Sequence, residues 1–390
     1  MRTPRSPVAP SWVEIDLAAV RHNLGVVARH TGPHCRAWAV VKANAYGHGA
    51  VPVARAALEG GAGGLAVASV TEALKLRREG LQAPVLVFSA GDPRTAAQVV
   101  RHDLIHTACE PRMVAALAQA ARRLGRPARV HLKVDTGMGR LGVLPEEAVA
   151  FARAIVEQPG LRLEGVFSHL ATAEESDPGY AEEQLARFRR VLAGLASAGV
   201  PPGMRHLASS AAVARFPHMH LDAVRVGLLT YGIQPGPGNA PRLDLRPALT
   251  WRTRLAFRHR LPAGGSVSYG RTFRASSDMI VGVLPVGYAD GYPRHASNRA
   301  YVLVGGRPCP LLGRVCMDHV IVDLGPAPEA RVGDEVVLLG RQGGAEIAAN
   351  HLAAWAGTCL HEVTTVIGPR VARRYRDPGQ TGRPGAPRER

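Results

Sequence analysis

The chain has 390 residues and a formal net charge of +17, with 46% hydrophobic and 20% charged residues. This composition is typical of a globular protein with enough chain for two domains. Basic residues are scattered and aromatic residues make up only 5%, which disfavours a nucleic-acid surface with stacking side chains.

The same sequence gives no sign of a membrane segment, a signal peptide or a metal centre. No stretch approaches the roughly 20 apolar residues of a membrane span, and the N-terminal residues lack an apolar signal core. The five cysteines show no zinc-binding spacing. We therefore expect a cytoplasmic protein that binds neither nucleic acid nor a membrane.

From Trp12 to about Gly232, short apolar runs alternate with helical patterns. The apolar runs are 35–41, 64–68, 84–88, 104–108, 129–134, 162–168, 204–208 and 222–227. The helical patterns are 49–59, 70–79, 93–101, 110–124, 146–157, 180–198 and 210–216. Eight strands separated by helices predict a parallel α/β fold, with a closed (β/α)8 TIM-type barrel favoured over a doubly wound sheet.

The pattern of apolar residues changes after the Pro- and Gly-rich linker at 235–241. Alternating apolar runs at 279–286, 300–304, 319–323 and 335–339 predict strands, and 345–356 predicts a helix. We expect a barrel over residues 11–240 and a mainly-β domain over 241–377. Residues 1–10 and 378–390 are rich in Pro, Gly and Arg and are predicted to be disordered tails.

Lysine is rare in this chain. The 48 basic residues include only three lysines, Lys42, Lys75 and Lys133. Arginine cannot replace a reactive amine, because the guanidinium group stays protonated and forms no imine. Lys75 lies in a helical pattern and is expected at the surface, so Lys42 and Lys133 are the candidates for chemistry.

Lys42 follows an apolar run and precedes a Gly-punctuated turn. Burial at a strand end lowers the pKa of an amine and makes it nucleophilic, as in Schiff-base lysines. The alternative is an ordinary lysine that extends to water.

Catalytic groups of a barrel lie at the C-terminal ends of its strands. Those ends carry Lys42, Tyr46, Lys133, Arg140, Ser168, His169, His206, Ser209, Ser210, Arg225, Gly227 and Leu228. The late pairs Ser209–Ser210 and Gly227–Leu228 are candidate phosphate donors. An imine-forming lysine beside a phosphate site predicts pyridoxal 5′-phosphate, an electron sink for α-carbanions.

The motifs also resemble those of a known family. VKANAYGHG (41–49), HLKVDTGMGRLG (131–142), RVG (225–227), VSYG (267–270), GYADGYPR (287–294) and GRVCMD (313–318) are similar, in order, to blocks of the alanine racemases. The resemblance covers about 11–375. It implies a barrel followed by a β domain, and a pyridoxal-phosphate-dependent homodimer that interconverts L- and D-alanine and so supplies D-alanine for peptidoglycan precursors.

The resemblance also implies roles for individual residues. Lys42 would be one proton-transfer base, and Tyr269, from the second subunit's β domain, the other. His169 would contact the tyrosine, and Arg225 would lie between that histidine and the pyridine nitrogen as part of a positive chain. Tyr46, Ser209, Ser210, Gly227, Leu228 and His361 would bind the cofactor; Arg140, Met317 and Tyr288 would bind substrate.

Lys133 resembles a position that carries a carbamate in many relatives, where it orients Arg140. The alternative for Lys133 is a salt bridge to Asp135 or another acid. Two departures from the family pattern concern the phosphate end, where Ser209 stands in place of asparagine and His361 in place of tyrosine. They leave open a racemase of broader amino-acid range. A decarboxylase or a non-catalytic cofactor-binding protein fits less well, because the VSYG block supplies a second base.

Overall fold

A computed structural model describes residues 9–377. The described chain begins with strand β1 (Ser11–Asp16) and helix α1 (Leu17–Thr31). The Asp16 carboxylate accepts the Ala19 N–H at 3.0 Å at the start of this helix. Val20, Leu24 and Val27, spaced at three and four residues, are buried. This helix was not predicted from the sequence, because the first pattern starts at residue 35. The acidic residue at the start of the helix and its apolar spacing are signals that could have predicted it.

Eight parallel strands form a closed barrel. They are β2 (Arg36–Val40), β3 (Gly64–Val67), β4 (Val85–Val87), β5 (Ile105–Ala108), β6 (Ala128–Lys133), β7 (Leu161–Phe167), β8 (Met204–Ser209) and β9 (Ala223–Val226). β9 pairs with β2, placing Arg225 opposite Trp38. This pairing confirms the predicted barrel and excludes the doubly wound alternative, since an open sheet leaves its outer strands unpaired.

The helices of this unit follow the predicted positions within a few residues. They are α2 (Ala50–Glu59), α3 (Val70–Arg78), α4 (Ala96–Arg101), α5 (Pro111–Leu124), α6 (Ala148–Val156), α7 (Gly179–Ser197) and α8 (Ser210–Arg215). Short 3₁₀ turns occur at Pro93–Thr95, Pro217–Met219 and Leu228–Tyr231.

The C-terminal unit is built on β-sheets. Its strands are β10 (Leu249–Arg254), β11 (Phe257–Leu261), β12 (Ser266–Val267), β13 (Phe273–Arg274), β14 (Met279–Leu284), β15 (Tyr301–Val304), β16 (Arg307–Pro310), β17 (Val320–Asp323), β18 (Glu335–Gln342), β19 (Ala345–Ile347) and β20 (Ala372–Arg376). The largest sheet has the order β16-β15-β18-β10-β1-β20, with β19 paired to β18. β11-β14-β17 and β12-β13 form the other two sheets.

The predicted helix at 345–356 begins later than its pattern suggests. Residues 345–347 form β19, a hairpin partner of β18 across the Gly343–Gly344 turn, and α9 spans only Ala349–Ala356. This part of the prediction is wrong because cross-strand pairing outweighs helical periodicity in a short segment. A second helix, α10 (Leu360–Thr365), follows.

The division into two units differs from the sequence expectation at its ends. Residues 9–19 group with 247–377, and 20–246 form the barrel unit. The physical reason is that β1 hydrogen-bonds to β10 and β20 and not to a barrel strand. Pro10, within the predicted tail, accepts a hydrogen bond from Thr253 Oγ1 at 2.8 Å. The remaining tail predictions, 1–8 and 378–390, lie outside the described residues.

Within residues 9–377, no helix is both long enough and apolar enough to cross a bilayer.

Candidate active site

The four residues after Lys42 form a left-handed turn. Ala43 to Tyr46 all have φ between +50° and +56°. A hydrogen bond from Ala45 N to Val41 O, 2.9 Å long, lies within the turn, and Gly47 with φ 84° ends it. This conformation costs an L-residue roughly 1–2 kcal/mol, so the surrounding structure must hold it in place. Lys42 therefore extends from the C-terminal end of β2 on a constrained backbone.

The environment of Lys42 lowers the pKa of its amine. Burial lowers the pKa of Lys42, the Arg140 cation lowers it further, and the Glu72 carboxylate opposes them. The Nζ atom lies 6.0 Å from the centroid of the Tyr46 ring. The expected lowering of the pKa by burial is thus present.

Lys133, at the end of β6, is more deeply buried and only 6% exposed. Burial, assisted by the nearby Arg225 cation, lowers its pKa to about 7. Its Nζ donates to Val134 O at 3.0 Å and lies 5.4 Å from the centroid of the Phe167 ring. A substantial fraction of this amine is therefore neutral at physiological pH.

The Asp135 carboxylate organises the loop that carries Arg140. Its Oδ1 accepts the N–H groups of Gly137, Met138 and Gly139 at 2.9, 2.8 and 3.1 Å. Its Oδ2 accepts the Arg140 N–H at 3.1 Å. A Lys133–Asp135 salt bridge is not found among residues 9–377. The Asp135 carboxylate bonds to the loop backbone, and the Lys133 Nζ donates to Val134 O.

Arg225 is the centre of a buried hydrogen-bond network. It is 4% exposed, and Nη2 donates to the carbonyl oxygens of Ser168 and Leu207 at 2.8 and 3.0 Å. Nη2 also lies 3.2 Å from His169 Nδ1, and Nη1 lies 2.9 Å from His206 Nδ1. Burial lowers the pKa of Arg225 to about 9, so the guanidinium remains cationic near neutral pH.

The network determines which nitrogen of each histidine carries a proton. A guanidinium can only donate, so Nδ1 of His169 and of His206 must accept. Burial, together with the Arg225 charge, lowers the pKa of both histidines well below 6.5. Each ring is therefore neutral with its proton on Nε2. The His206 Nε2–H donates to His131 Nδ1 at 2.9 Å, and burial lowers the pKa of His131 to about 3.

Hydroxyl groups and backbone amides meet where β2, β8 and β9 end. The Ser210 Oγ accepts the N–H groups of Gly227 and Leu229 at 3.0 and 3.3 Å. Ser209, the N-cap residue of α8, makes no side-chain capping bond. A Cβ at Gly227 would lie 2.6 Å from the Tyr46 hydroxyl, so only glycine permits this approach. Burial raises the pKa of Tyr46 to about 12, which leaves its hydroxyl protonated.

In the C-terminal unit, Tyr269 begins a 3₁₀ turn and is 67% exposed. Ser268 before it has φ 61° and ψ 179°. The Ser268 hydroxyl donates to the Arg314 carbonyl oxygen and lies 3.4 Å from the Cys316 sulfur. These contacts connect the VSYG block to the GRVCMD block.

Backbone hydrogen bonds join the segment 288–289 to the segment 316–317, and the Tyr288 and Met317 side chains are exposed, by 42% and 51%. The Tyr288 N–H donates to Cys316 O at 3.1 Å, and the next N–H donates to Met317 O at 3.0 Å. A Cβ at Gly287 would lie 2.3 Å from Met317 O. Arg370 bridges Asp290 and Asp318, each at 2.6 Å. Tyr269, Tyr288 and Met317 thus belong to one connected, exposed surface, while His361 lies in α10 and is half-buried.

Sequence reasoning assigned no role to three residues that the structure places near these groups, although His206 was noted at a strand end and His131 in a motif. His131 and His206 continue the Arg225 chain, and Glu72 contacts the turn after Lys42. His131 stands two residues before Lys133 on one strand, so the two side chains share a face. That alternation is the signal that could have found it.

Comparison with known proteins agrees with this arrangement. A family model described as alanine racemase, N-terminal domain, matches residues 15–235. A second, alanine racemase, C-terminal domain, matches residues 248–375. The chain belongs to the alanine racemase family.

Curated relatives and solved structures share this family over nearly their full length. The alanine racemase of Symbiobacterium thermophilum is 49% identical over 94% of this chain and 97% of its own. The structure of alanine racemase from Streptomyces lavendulae has a TM-score of 0.89 and 40% identity, covering 95% of this chain and 98% of its own. Alanine racemase from Bacillus anthracis, solved with bound L-Ala-P, has a TM-score of 0.89 and 36% identity over 96% and 97% of the two chains.

Proposed function

We propose that this chain is an isomerase that interconverts L- and D-alanine with pyridoxal 5′-phosphate as its cofactor. The observation that carries the proposal is Lys42, an amine of lowered pKa at the end of β2, the strand that pairs with the Arg225 strand. Membership of the alanine racemase family supports alanine as the substrate.

The residues of the barrel unit fit this cofactor. Arg225 uses Nη1 and Nη2 in the network above, whereas its Nε has no acceptor among residues 9–377. That donor would face the ring nitrogen, and Lys42 would attach the cofactor. Tyr46, Ser209 and the Leu228 N–H would hold the phosphate, with Ser210 and Gly227 shaping the loop. When bound, pyridoxal phosphate supplies the electron sink that makes the α-hydrogen of an amino acid acidic.

Two bases would move the proton, Lys42 Nζ on one side of the substrate and Tyr269 Oη of a second copy on the other. A tyrosine has an ordinary pKa of about 10, so its phenolate needs stabilisation. The neutral His169 carries its proton on Nε2 and would donate it in a hydrogen bond to the phenolate. The positive charge of the expected chain therefore resides on Arg225, and His169 acts as a fixed donor.

Arg140 and the Met317 N–H would bind the substrate carboxylate, with Tyr288 beside them. Lys133 would carry a carbamate, because a neutral amine is the form that reacts with carbon dioxide and the pKa of Lys133 is lowered to about 7. The carbamate would orient Arg140. His361 would contact the phosphate in place of the tyrosine of other family members.

The exposed residues of the β unit and the free cysteines bear on the oligomeric state and the cellular location. The exposed Tyr269, Tyr288 and Met317 suit a surface that completes the site of a second copy in a homodimer. All five cysteines are free thiols, which suits the reducing cytoplasm. The D-alanine formed there would serve peptidoglycan precursors.

The proposal is tested by incubating purified enzyme with single enantiomers of a panel of amino acids and separating the products on a chiral column. Wild type should racemise alanine and show visible absorption from the attached cofactor. Lys42→Arg should lose both, because arginine cannot attach the aldehyde. Lys75→Arg, a change at an exposed lysine of α3, is the matched control and should retain both. Wild-type protein that left every enantiomer unchanged would refute the proposal.

A further inference from the structure

The carboxylate of Glu72 bonds to the chain just beyond the ends of two adjacent barrel strands, β2 and β3. Glu72 is the third residue of α3, and its N–H donates to the Ser69 hydroxyl at 3.2 Å. Its Oε2 accepts the N–H groups of Ser69 and Ala68 at 3.3 and 2.7 Å, just beyond β3. These bonds form a capping box, which by itself explains a Glu or Gln at this position.

The other carboxylate oxygen makes a hydrogen bond that is not part of the capping box. Oε1 accepts the Ala43 N–H at 2.7 Å. Ala43 follows Lys42 and is the first of the four left-handed residues. One side chain therefore joins the residue after the candidate cofactor lysine to the end of the neighbouring strand.

This bond adds to the backbone hydrogen bonds of a strained turn, in which the Ala45 N–H donates to Val41 O at 2.9 Å and the Gly47 N–H to Ala43 O at 3.1 Å. Four successive left-handed L-residues are each unfavourable, and such a turn persists only when its surroundings over-determine it.

The charged groups that act on Lys42 are Arg140, which lowers its pKa, and Glu72, which raises it; Tyr46 and His169 are the other titratable neighbours. Glu72 is thus the anion of this set, and its carboxylate bonds to the first residue of the turn. The His48 Nδ1 lies 3.1 Å from the carbonyl oxygens of Ala45 and Tyr46 at the other end of the turn.

We propose that Glu72 is a positioning residue for Lys42, holding the left-handed turn through the Ala43 N–H so that the amine is placed for attachment and proton transfer. This inference rests on the proposed function. It concerns a side chain that would touch neither substrate nor cofactor.

Glu72→Gln separates this role from capping. The carboxylate accepts on both oxygens, whereas an amide has one acceptor oxygen and its nitrogen can only donate. If the amide oxygen keeps Ser69 and Ala68, the amide nitrogen faces the Ala43 N–H and the tie to the turn is lost. Ser69→Ala is the matched control, because it weakens the cap of α3 and leaves the Ala43 bond intact.

The test compares kcat, KM for alanine, melting temperature and amide hydrogen exchange of the peptide 42–49 in the cofactor-bound enzyme. For Glu72→Gln we expect kcat to fall about tenfold or more, with KM nearly unchanged and exchange in 42–49 faster. Ser69→Ala should keep wild-type kcat and exchange in that peptide. Glu72→Asp, one methylene too short to reach both strands, provides a second variant and should lose kcat in the same direction.

Wild-type kcat and exchange in Glu72→Gln would overturn the inference, as would equal losses of kcat in Glu72→Gln and Ser69→Ala. Absence of racemase activity in wild type would instead count against the proposed function. The exchange comparison still decides in that case whether Glu72 holds the turn.

Discussion

The Arg225 guanidinium donates to Nδ1 of His169 at 3.2 Å, and this bond leaves the histidine's proton on Nε2. The buried Arg225 cation thus fixes His169 as a hydrogen-bond donor at Nε2, whereas a free histidine could act as acid or base. The same guanidinium imposes the same tautomer on His206.

Arg225→Lys should reduce kcat in both directions by about two orders of magnitude, the effect of removing a directed donor at a reacting centre. An ammonium group cannot reproduce the planar fork that reaches two histidines and two carbonyl groups. Steady-state kinetics with each alanine enantiomer provides the measurement. Arg205→Lys, an arginine on β8 that pairs with Asp222 at 2.6 Å, is the matched control. Similar kinetics in both variants would contradict the proposed role.

Tyr269→Phe should abolish racemisation in both directions, and mixing should reveal which copy supplies the tyrosine. Lys42→Arg and Tyr269→Phe chains, unfolded together and refolded, should recover about a quarter of wild-type activity. Half of randomly formed dimers are mixed, and one of the two sites in each is intact. Either variant refolded alone should stay inactive. No recovery on mixing would show that Tyr269 serves its own chain.

His131 should make the barrel unit lose stability in acid. Burial lowers its pKa from 6.5 to about 3, so between these values the unfolded chain binds a proton that the folded chain does not. The free energy of unfolding therefore falls as pH decreases through this window, by an amount on the order of a few kcal/mol. His131→Asn, whose amide can still accept from His206, should reduce the dependence in urea titrations from pH 4 to 7. His169 and His206, whose pKa values are also lowered, should maintain the remainder. His295→Asn, at an exposed histidine, should leave it as in wild type.

Gly227→Ala should weaken cofactor binding more than it weakens the fold. The new Cβ would lie 2.6 Å from the Tyr46 hydroxyl, so the Tyr46 ring or the loop must shift. We expect a rise of about tenfold or more in the cofactor dissociation constant, measured by titrating cofactor-free protein. Gly238→Ala, whose Cβ would meet no atom within 4 Å, is the control. Equal affinity in the two variants would argue against this placement of Tyr46.

Lys133 should react with carbon dioxide. Protein equilibrated with ¹³C-labelled bicarbonate should show a carbamate carbon resonance by NMR, because the lowered pKa of about 7 leaves much of the amine neutral. The resonance should disappear in Lys133→Met and remain in Lys75→Met. A resonance that survives in Lys133→Met would place the carbamate elsewhere.

The sequence predicted most of the barrel because each strand is a buried apolar run with an amphipathic helix beside it. The β unit was harder, since strands such as β12 and β13 have two residues each and show no periodicity. The strand β1 was assigned to the wrong unit, because its partners β10 and β20 lie more than 230 residues away along the chain. The residue pattern within β1 does not indicate which distant strands pair with it.

The sequence by itself determined the candidate chemistry at Lys42. Lysine is nearly absent from this chain, the stretch around it resembles one family, and an amine at the end of a buried strand is drawn toward its neutral form. Only the tertiary structure showed how that residue is held. The left-handed turn after Lys42 and its bond to Glu72 depend on two strands meeting in the barrel, and the tautomer of His169 depends on a guanidinium 56 residues further along. Hydrogen bonds between distant segments decide these features, and local sequence does not encode them.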